Sequence, residues 1–144
     1  MATNSAGSVG YKDYGDRVVM RGRYFTYSDL STTSDTLSLT VCTIPAGAII
    51  TEGYSVVLEA FDDTNGDDLH VGTSADPDLF DTSVDMNAVA YTAWNSLAAS
   101  ERYSTSDRTL TVNLETAASG NGTTGKVFVF VKYKVIAEKS GITQ

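Results

Sequence analysis

Residues 44–73, IPAGAIITEGYSVVLEAFDDTNGDDLHVGT, decide the fold, because β-branched and aromatic residues run there in short stretches separated by turn residues. Pro45 lacks a backbone donor and Gly47 tolerates positive φ, so the chain turns before resuming at Ile49. After Gly53 it resumes again as Tyr54 to Phe61, giving two strands with a corner between them. Asn65-Gly66 is a favoured pair for a tight hairpin, with Leu69 to Thr73 returning, Leu69 and Val71 facing in and His70 facing out.

Upstream, residues 17–27 alternate, with Val18, Met20 and Tyr24 on one side and Val19, Arg21, Arg23, Phe25 and Tyr27 on the other. The run TLSLTVCTI follows, where Leu37, Leu39 and Val41 oppose Ser38, Thr40 and Cys42. Downstream, Met86, Val89, Ala90, Ala93 and Leu97 fit an i, i+3, i+4 stripe, which points to a short helix or an irregular covering segment. TLTVNLE then places Leu110, Val112 and Leu114 on one face, and KVFVFVKYKVI forms a last long strand expected to pair with it as an antiparallel hairpin. In that strand Val127, Val129, Val131 and Val135 face the core. Phe128 and Phe130 share the opposite face with Lys132 and Lys134, and an aromatic pair there asks for cover. The cover is either the N-terminal arm or helix-like segment of the same chain, or a neighbouring subunit.

Six to eight strands and at most one short helix, without the crossover helices a parallel sheet needs, predict an all-β antiparallel sandwich of jelly-roll type. The 144 residues suffice for one core. The expected division is a flexible N-terminal arm at 1–16, a β-sandwich at 17–136 and a C-terminal tail at 137–144.

The formal net charge of −8 and the absence of a Lys/Arg run speak against nucleic acid as a partner. Cys42 is the single cysteine, so no intrachain disulfide can form and a secreted, disulfide-built domain is disfavoured. The start MATNSAGSVG lacks the basic and apolar regions of a signal peptide, and no apolar run reaches the roughly 18 residues of a membrane span. Synthesis in the cytoplasm of a cell is the expectation, with no membrane partner.

Several patterns imitate catalytic or ligand motifs. GNGTTG at 120–125, followed by Lys126, matches both G-x-G-x-x-G and G-x-x-x-x-G-K, but it leads into a strand rather than a helix, and Val127 replaces the Ser/Thr that would hold magnesium. DDTNGDD at 62–68 gathers oxygen ligands, yet Gly66 is out of place for a calcium loop and no Glu stands at the twelfth position. Asp76, Asp78, Asp81 and Asp85 form a second acidic group, in which paired carboxylates could serve glycoside hydrolysis. His70 is the lone histidine, which excludes a multi-histidine metal site, and no nucleophile elbow accompanies it. Cys42 lies within a strand and reads as structural. The sequon Asn121-Gly122-Thr123 has meaning only in a secreted chain. Trp94 could furnish a sugar-stacking platform or fill the covering segment, while Tyr24, Tyr54 and Tyr133 stand in core register. The residues therefore name no catalytic group, metal or cofactor. Tyr11 and Tyr14 are set apart, because amphipathic rings in a polar leader are suited to docking on a neighbour.

At IPAGAIITEGYSVVLEAFD, then LHVGTSADPDLF and YSTSDRTLTVNLETAASGNGTTGKVFVFVKYKV, the chain resembles small β-sandwich virion proteins of tailed bacteriophages, across about residues 37–136. Proteins of this kind include capsid decoration, or cement, proteins. The resemblance implies a non-enzymatic homotrimer or dimer on the capsid exterior, partnered by the major capsid protein. Head-fibre and tail-associated glycan- or receptor-binding modules are similar enough to be the alternative. The expected assembly contacts are Tyr11, Tyr14, Phe128 and Phe130.

Overall fold

In a computed structural model, residues 18–30, 37–62, 68–114 and 122–136 are described. They form eight strands: β1 (Val19–Thr26), β2 (Ser38–Ile44), β3 (Ala48–Glu59), β4 (Asp68–Gly72), β5 (Asp81–Asp85), β6 (Ala90–Ala93), β7 (Arg108–Leu114) and β8 (Lys126–Val135). A one-turn helix, α1 (Tyr27–Leu30), and a 3-10 turn at Ala99–Glu101 are the other elements. The arm expected at 1–16, the tail at 137–144, Tyr11, Tyr14 and the Asn65-Gly66 turn lie outside the described residues.

The strands lie in two antiparallel sheets ordered β1-β8-β3-β6 and β2-β7-β4-β5. That order is the eight-stranded jelly roll, so the all-β sandwich expected from the sequence is the architecture observed. Between the sheets lie Phe25, Ile50, Val57, Val127, Val129 and Val131 from the first and Ile44, Leu69, Val71, Val84, Leu110 and Val112 from the second, all nearly or fully buried. Burying one such side chain removes it from water at a gain of about 1.5–3 kcal/mol, which is why the inward alternation of β7 and β8 is so strict.

Two strand pairings and one element differ from expectation. Strand β4 exists, but it sits in the opposite sheet from β3, so the two do not pair as a hairpin. The same holds for β7 and β8. Only β4 and β5 are neighbours both in sequence and in a sheet. In each failed pair both strands carry an apolar face, and placing them on opposite walls lets Val57 and Leu69, or Val112 and Val129, share one interior. The stripe at 86–97 is not a helix: Met86 is buried, Val89 is exposed, and Ala90–Ala93 adds an edge strand to β3.

The turn read at Pro45 and Gly47 is present. Gly47 has φ 81°, Ala48 N–H donates to the Pro45 carbonyl at 3.2 Å, and Asp107 Oδ1 accepts from Ala46 N–H at 2.8 Å. The corner expected at Gly53 is instead a bulge at Thr51 inside one continuous strand. A bulge interrupts the ladder and leaves carbonyls to satisfy. Arg102 does so, donating Nη1 to the Ile50 and Thr51 carbonyls at 3.2 and 2.8 Å, and Thr51 Oγ1 donates to the Lys132 carbonyl at 3.1 Å.

Candidate functional site

The two sheets treat their outer faces differently. Over β4 and β7, the loop after Gly72 folds back onto the strands: a Cβ at Gly72 would lie 2.2 Å from the Asp76 carbonyl oxygen, and Asn113 Nδ2 donates to the Pro77 carbonyl at 3.1 Å. The outer face of β1-β8-β3-β6 stays open among the described residues.

Register builds that open face. Tyr24 and Val56 flank Phe128 on β8, Gly22 and Tyr54 flank Phe130, and Tyr91 of β6 stands opposite Val56. Five rings consequently run in contact across all four strands. Tyr24 stacks on Phe128 at 4.5 Å between centroids, Phe128 on Phe130 at 5.2 Å, Phe130 meets Tyr54 at 5.4 Å, and Tyr54 stacks on Tyr91 at 4.8 Å. Such pairs contribute about 0.5–1.5 kcal/mol each beyond the area they bury. Gly22 makes the row possible, because a Cβ there would stand 2.6 Å from Phe130 Cβ and 2.8 Å from Phe128 Cζ.

The expected contact residues Phe128 and Phe130 thus share the outer face, but Phe130 is 8% exposed beneath its neighbours. The accessible rings are Tyr24 and Tyr91, 54% and 63% exposed, and Met20, opposite Lys132 at the other end of β1, is 56% exposed. Tyr24 and Tyr54 were expected in the core and stand on this face instead. Tyr133 is buried as expected, while Val135 is partly exposed rather than a core residue.

Polar groups edge the rings. Tyr54 donates its hydroxyl to Glu52 Oε2 at 2.8 Å, which pushes its own phenol up to about 12, and Lys132 Nζ lies 3.8 Å from the same carboxylate. Lys126 Nζ sits 5.1 Å over the Tyr24 ring.

The other candidates disperse. Trp94 is 7% exposed inside the sandwich, stacked on Phe80 at 5.8 Å and donating Nε1 to Ser55 Oγ at 3.1 Å, so it offers no platform to a sugar. Asp81 is fully buried, and desolvation raises its carboxyl despite backbone hydrogen bonds and the nearby His70 charge. Asp76 is raised by a hydrogen bond shared with Asp78, whereas Asp85 caps the Asn87 N–H at 2.9 Å. Asp62 clamps the entry to β8, accepting from Thr123 N–H, Thr123 Oγ1 and Thr124 N–H at 2.8, 2.7 and 3.0 Å, which lowers it to about 2. GNGTTG ends in that clamp and opens β8, a strand. Burial raises the Cys42 thiol, with Arg21 opposing. Among the described residues no group of three or more His, Cys, Asp or Glu side chains could hold a metal, and no helix is long and apolar enough to cross a membrane.

A jelly roll whose first sheet keeps an open aromatic outer face is the class of protein this chain forms. No family model and no curated protein matches it. Solved phage capsids contain chains of the same fold and similar length. One is in the cyanophage Pam1 capsid asymmetric unit, 19% identical with a TM-score of 0.59, covering 83% of this chain and 84% of that one. Another is in the capsid of Ralstonia phage GP4, 12% identical with a TM-score of 0.54, covering 86% and 87%. The likeness to β-sandwich phage virion proteins read from the sequence therefore holds in three dimensions, at the level of the fold.

Proposed function

We propose that the protein is a non-enzymatic component of a phage particle, a decoration or cement protein that sits on the outside of the head and bridges capsid subunits. The observation that carries this reading is the match, over 83% of the chain, to a chain of the Pam1 capsid asymmetric unit. The open aromatic face supports it, since contiguous exposed apolar surface marks contact sites on soluble proteins. Tyr11, Tyr14, Phe128 and Phe130 are the proposed assembly contacts, the last two as part of the ring row. Many weak copies acting together give a shell more resistance than one contact could, so modest affinity per copy is enough. Self-association into a trimer, or a dimer, belongs to the same reading and is checked by solution mass.

The test is reconstitution. Purified protein is added to capsids that lack it, and the particles are imaged and heated. Symmetric extra density outside the shell with a higher disruption temperature is expected. Absence of both rejects the reading. The alternative, a glycan- or receptor-binding appendage, loses its best platform with Trp94 inside the core.

A further inference from the structure

The open face matches itself. Tyr24, Phe128, Val56 and Tyr91 form one row across β1, β8, β3 and β6, and Gly22, Phe130, Tyr54 and Ala93 form the next. On either side of these two rows the inner strands carry opposite charges at equal height: Lys126 of β8 stands against Glu59 of β3 at one end, and Lys132 against Glu52 at the other. Much of the chain's acidity lies elsewhere, in Asp68, Asp76, Asp78 and Asp85 of the second sheet and its loops. A molecule of formal net charge −8 repels its own kind over much of its surface, but on this face the two signs are nearly balanced.

We propose that this face is the contact of a twofold dimer, with a second copy of the chain laid on it about an axis parallel to the strands and midway between β8 and β3. That axis sets β8 of one copy over β3 of the other, and β1 over β6. Lys126 then meets Glu59 of the second copy and Lys132 meets its Glu52, while Phe128 covers Val56, Phe130 covers Tyr54, and the exposed Tyr24 and Tyr91 cover each other. An axis across the strands would instead lay β8 on β8, bringing Lys126 over Lys132 and Glu59 over Glu52, and like charges set opposite each other cost affinity. The charge pattern therefore selects both the occupant and the axis. Sheets packed this way keep their strands within about 30° of each other, the aligned arrangement of sandwich cores. Strands about 4.8 Å apart and a rise of about 3.3 Å per residue make a four-strand face, eight residues long at β1, about 19 by 26 Å, so two copies bury about 1,000 Å², the lower bound of a specific interface. The dimer is accordingly weak and dissociates on dilution. This deepens the decoration reading above, resting on it for the dimer's place in a particle and giving its self-association a face and a symmetry.

Sedimentation equilibrium of the full chain over a concentration series reads the assembly. The wild-type mass is expected to rise with concentration toward that of two chains, and Tyr24→Ser with Tyr91→Ser to weaken association at least tenfold. Two charge variants fix the axis: one carries Lys126→Glu and Lys132→Glu, the other Glu52→Lys and Glu59→Lys. Each alone is expected to stay monomeric and an equal mixture to dimerise, since β8 of each then lies over a β3 of opposite sign. All the changed side chains are at least partly exposed, and thermal unfolding checks that each variant folds. A wild type that stays monomeric, a mass of three chains, a dimer indifferent to the face changes, or charge variants that pair no better mixed than alone each overturns the inference. So does dimerisation that appears only after deletion of residues 1–17, which makes the arm the cover of the face. Capsid reconstitution is read separately. A dimer that does not decorate capsids rejects the decoration reading and leaves the interface standing. Monomeric wild type that decorates them, with binding lost in the tyrosine variant, rejects the interface alone and gives the face to the shell.

Discussion

Tyr54 Oη donates to Glu52 Oε2 across 2.8 Å on a face where both side chains are reachable from solvent. The bond favours the neutral phenol, since ionised tyrosine would set two negative charges together, and Tyr54 is pushed up to about 12. A raised acid contributes stability that is complete below the ordinary value of 10.0 and is lost as pH rises toward about 12. Alkaline titration followed by near-ultraviolet absorbance should show one late phenol. Tyr54→Phe removes it, and Glu52→Gln brings it down. A late phenol that survives Tyr54→Phe would assign the shift elsewhere.

Asp62 has the opposite sign. Its three donors favour the carboxylate, and the contribution is present above the ordinary value of 3.8 and lost as pH falls toward about 2. Asp62→Asn should lower the melting temperature at neutral pH and flatten the acid limb of the stability curve. Equal acid limbs for the two proteins would show that the clamp on Thr123 and Thr124 has no energetic weight.

Burial makes Asp81 a stored cost rather than a gain. Its folded value lies above 3.8 because burial disfavours the carboxylate, and the penalty grows as pH rises from 3.8 through that folded value. Asp81→Asn should melt higher than wild type at neutral pH, with the difference closing below pH 3.8. Thermal unfolding across acid to neutral pH measures it, and an Asn variant less stable at every pH would refute it.

Gly53 is where the Trp94 ring rests: a Cβ there would fall 1.9 Å from Cε3. Gly53→Ala should cost about 1–3 kcal/mol by overpacking, with a red-shifted tryptophan emission as the ring is displaced. Trp94→Phe, which loses the bond to Ser55 but keeps a ring, should cost about 1 kcal/mol for the hydrogen bond in addition to the lost volume. Emission unchanged in Gly53→Ala would mean that the backbone yields instead of the indole.

The sandwich was legible because β7 and β8 alternate so regularly that their inward residues can be read by counting in twos. The partners were not, since a period of two names a face and says nothing about which strand lies alongside. Asn65-Gly66 argued for a local pairing, and the larger gain of putting β3 and β4 on opposite walls of one core prevailed. Tyr54 was misplaced for a narrower reason. Counting by twos from Ile50 brings Tyr54 inward, but the bulge at Thr51 shifts the phase, so that Gly53, Ser55 and Val57 face in. The same slip in β2 separates the inward Val41 from Ile44. Phe128 and Phe130 were visible as an outward pair, whereas Tyr24 and Tyr91 joined them only once register was known.

Val19 pairs with Tyr133 at one extremity of β1 and β8, so the chain enters and leaves the described body at a single corner. Tension between those two ends would peel β1 away one residue pair at a time, the weakest way to load an antiparallel ribbon. A pull delivered across the outer face is instead shared by four strands at once. Held by its face, the jelly roll behaves as a rivet; held by its ends, it behaves as a zip.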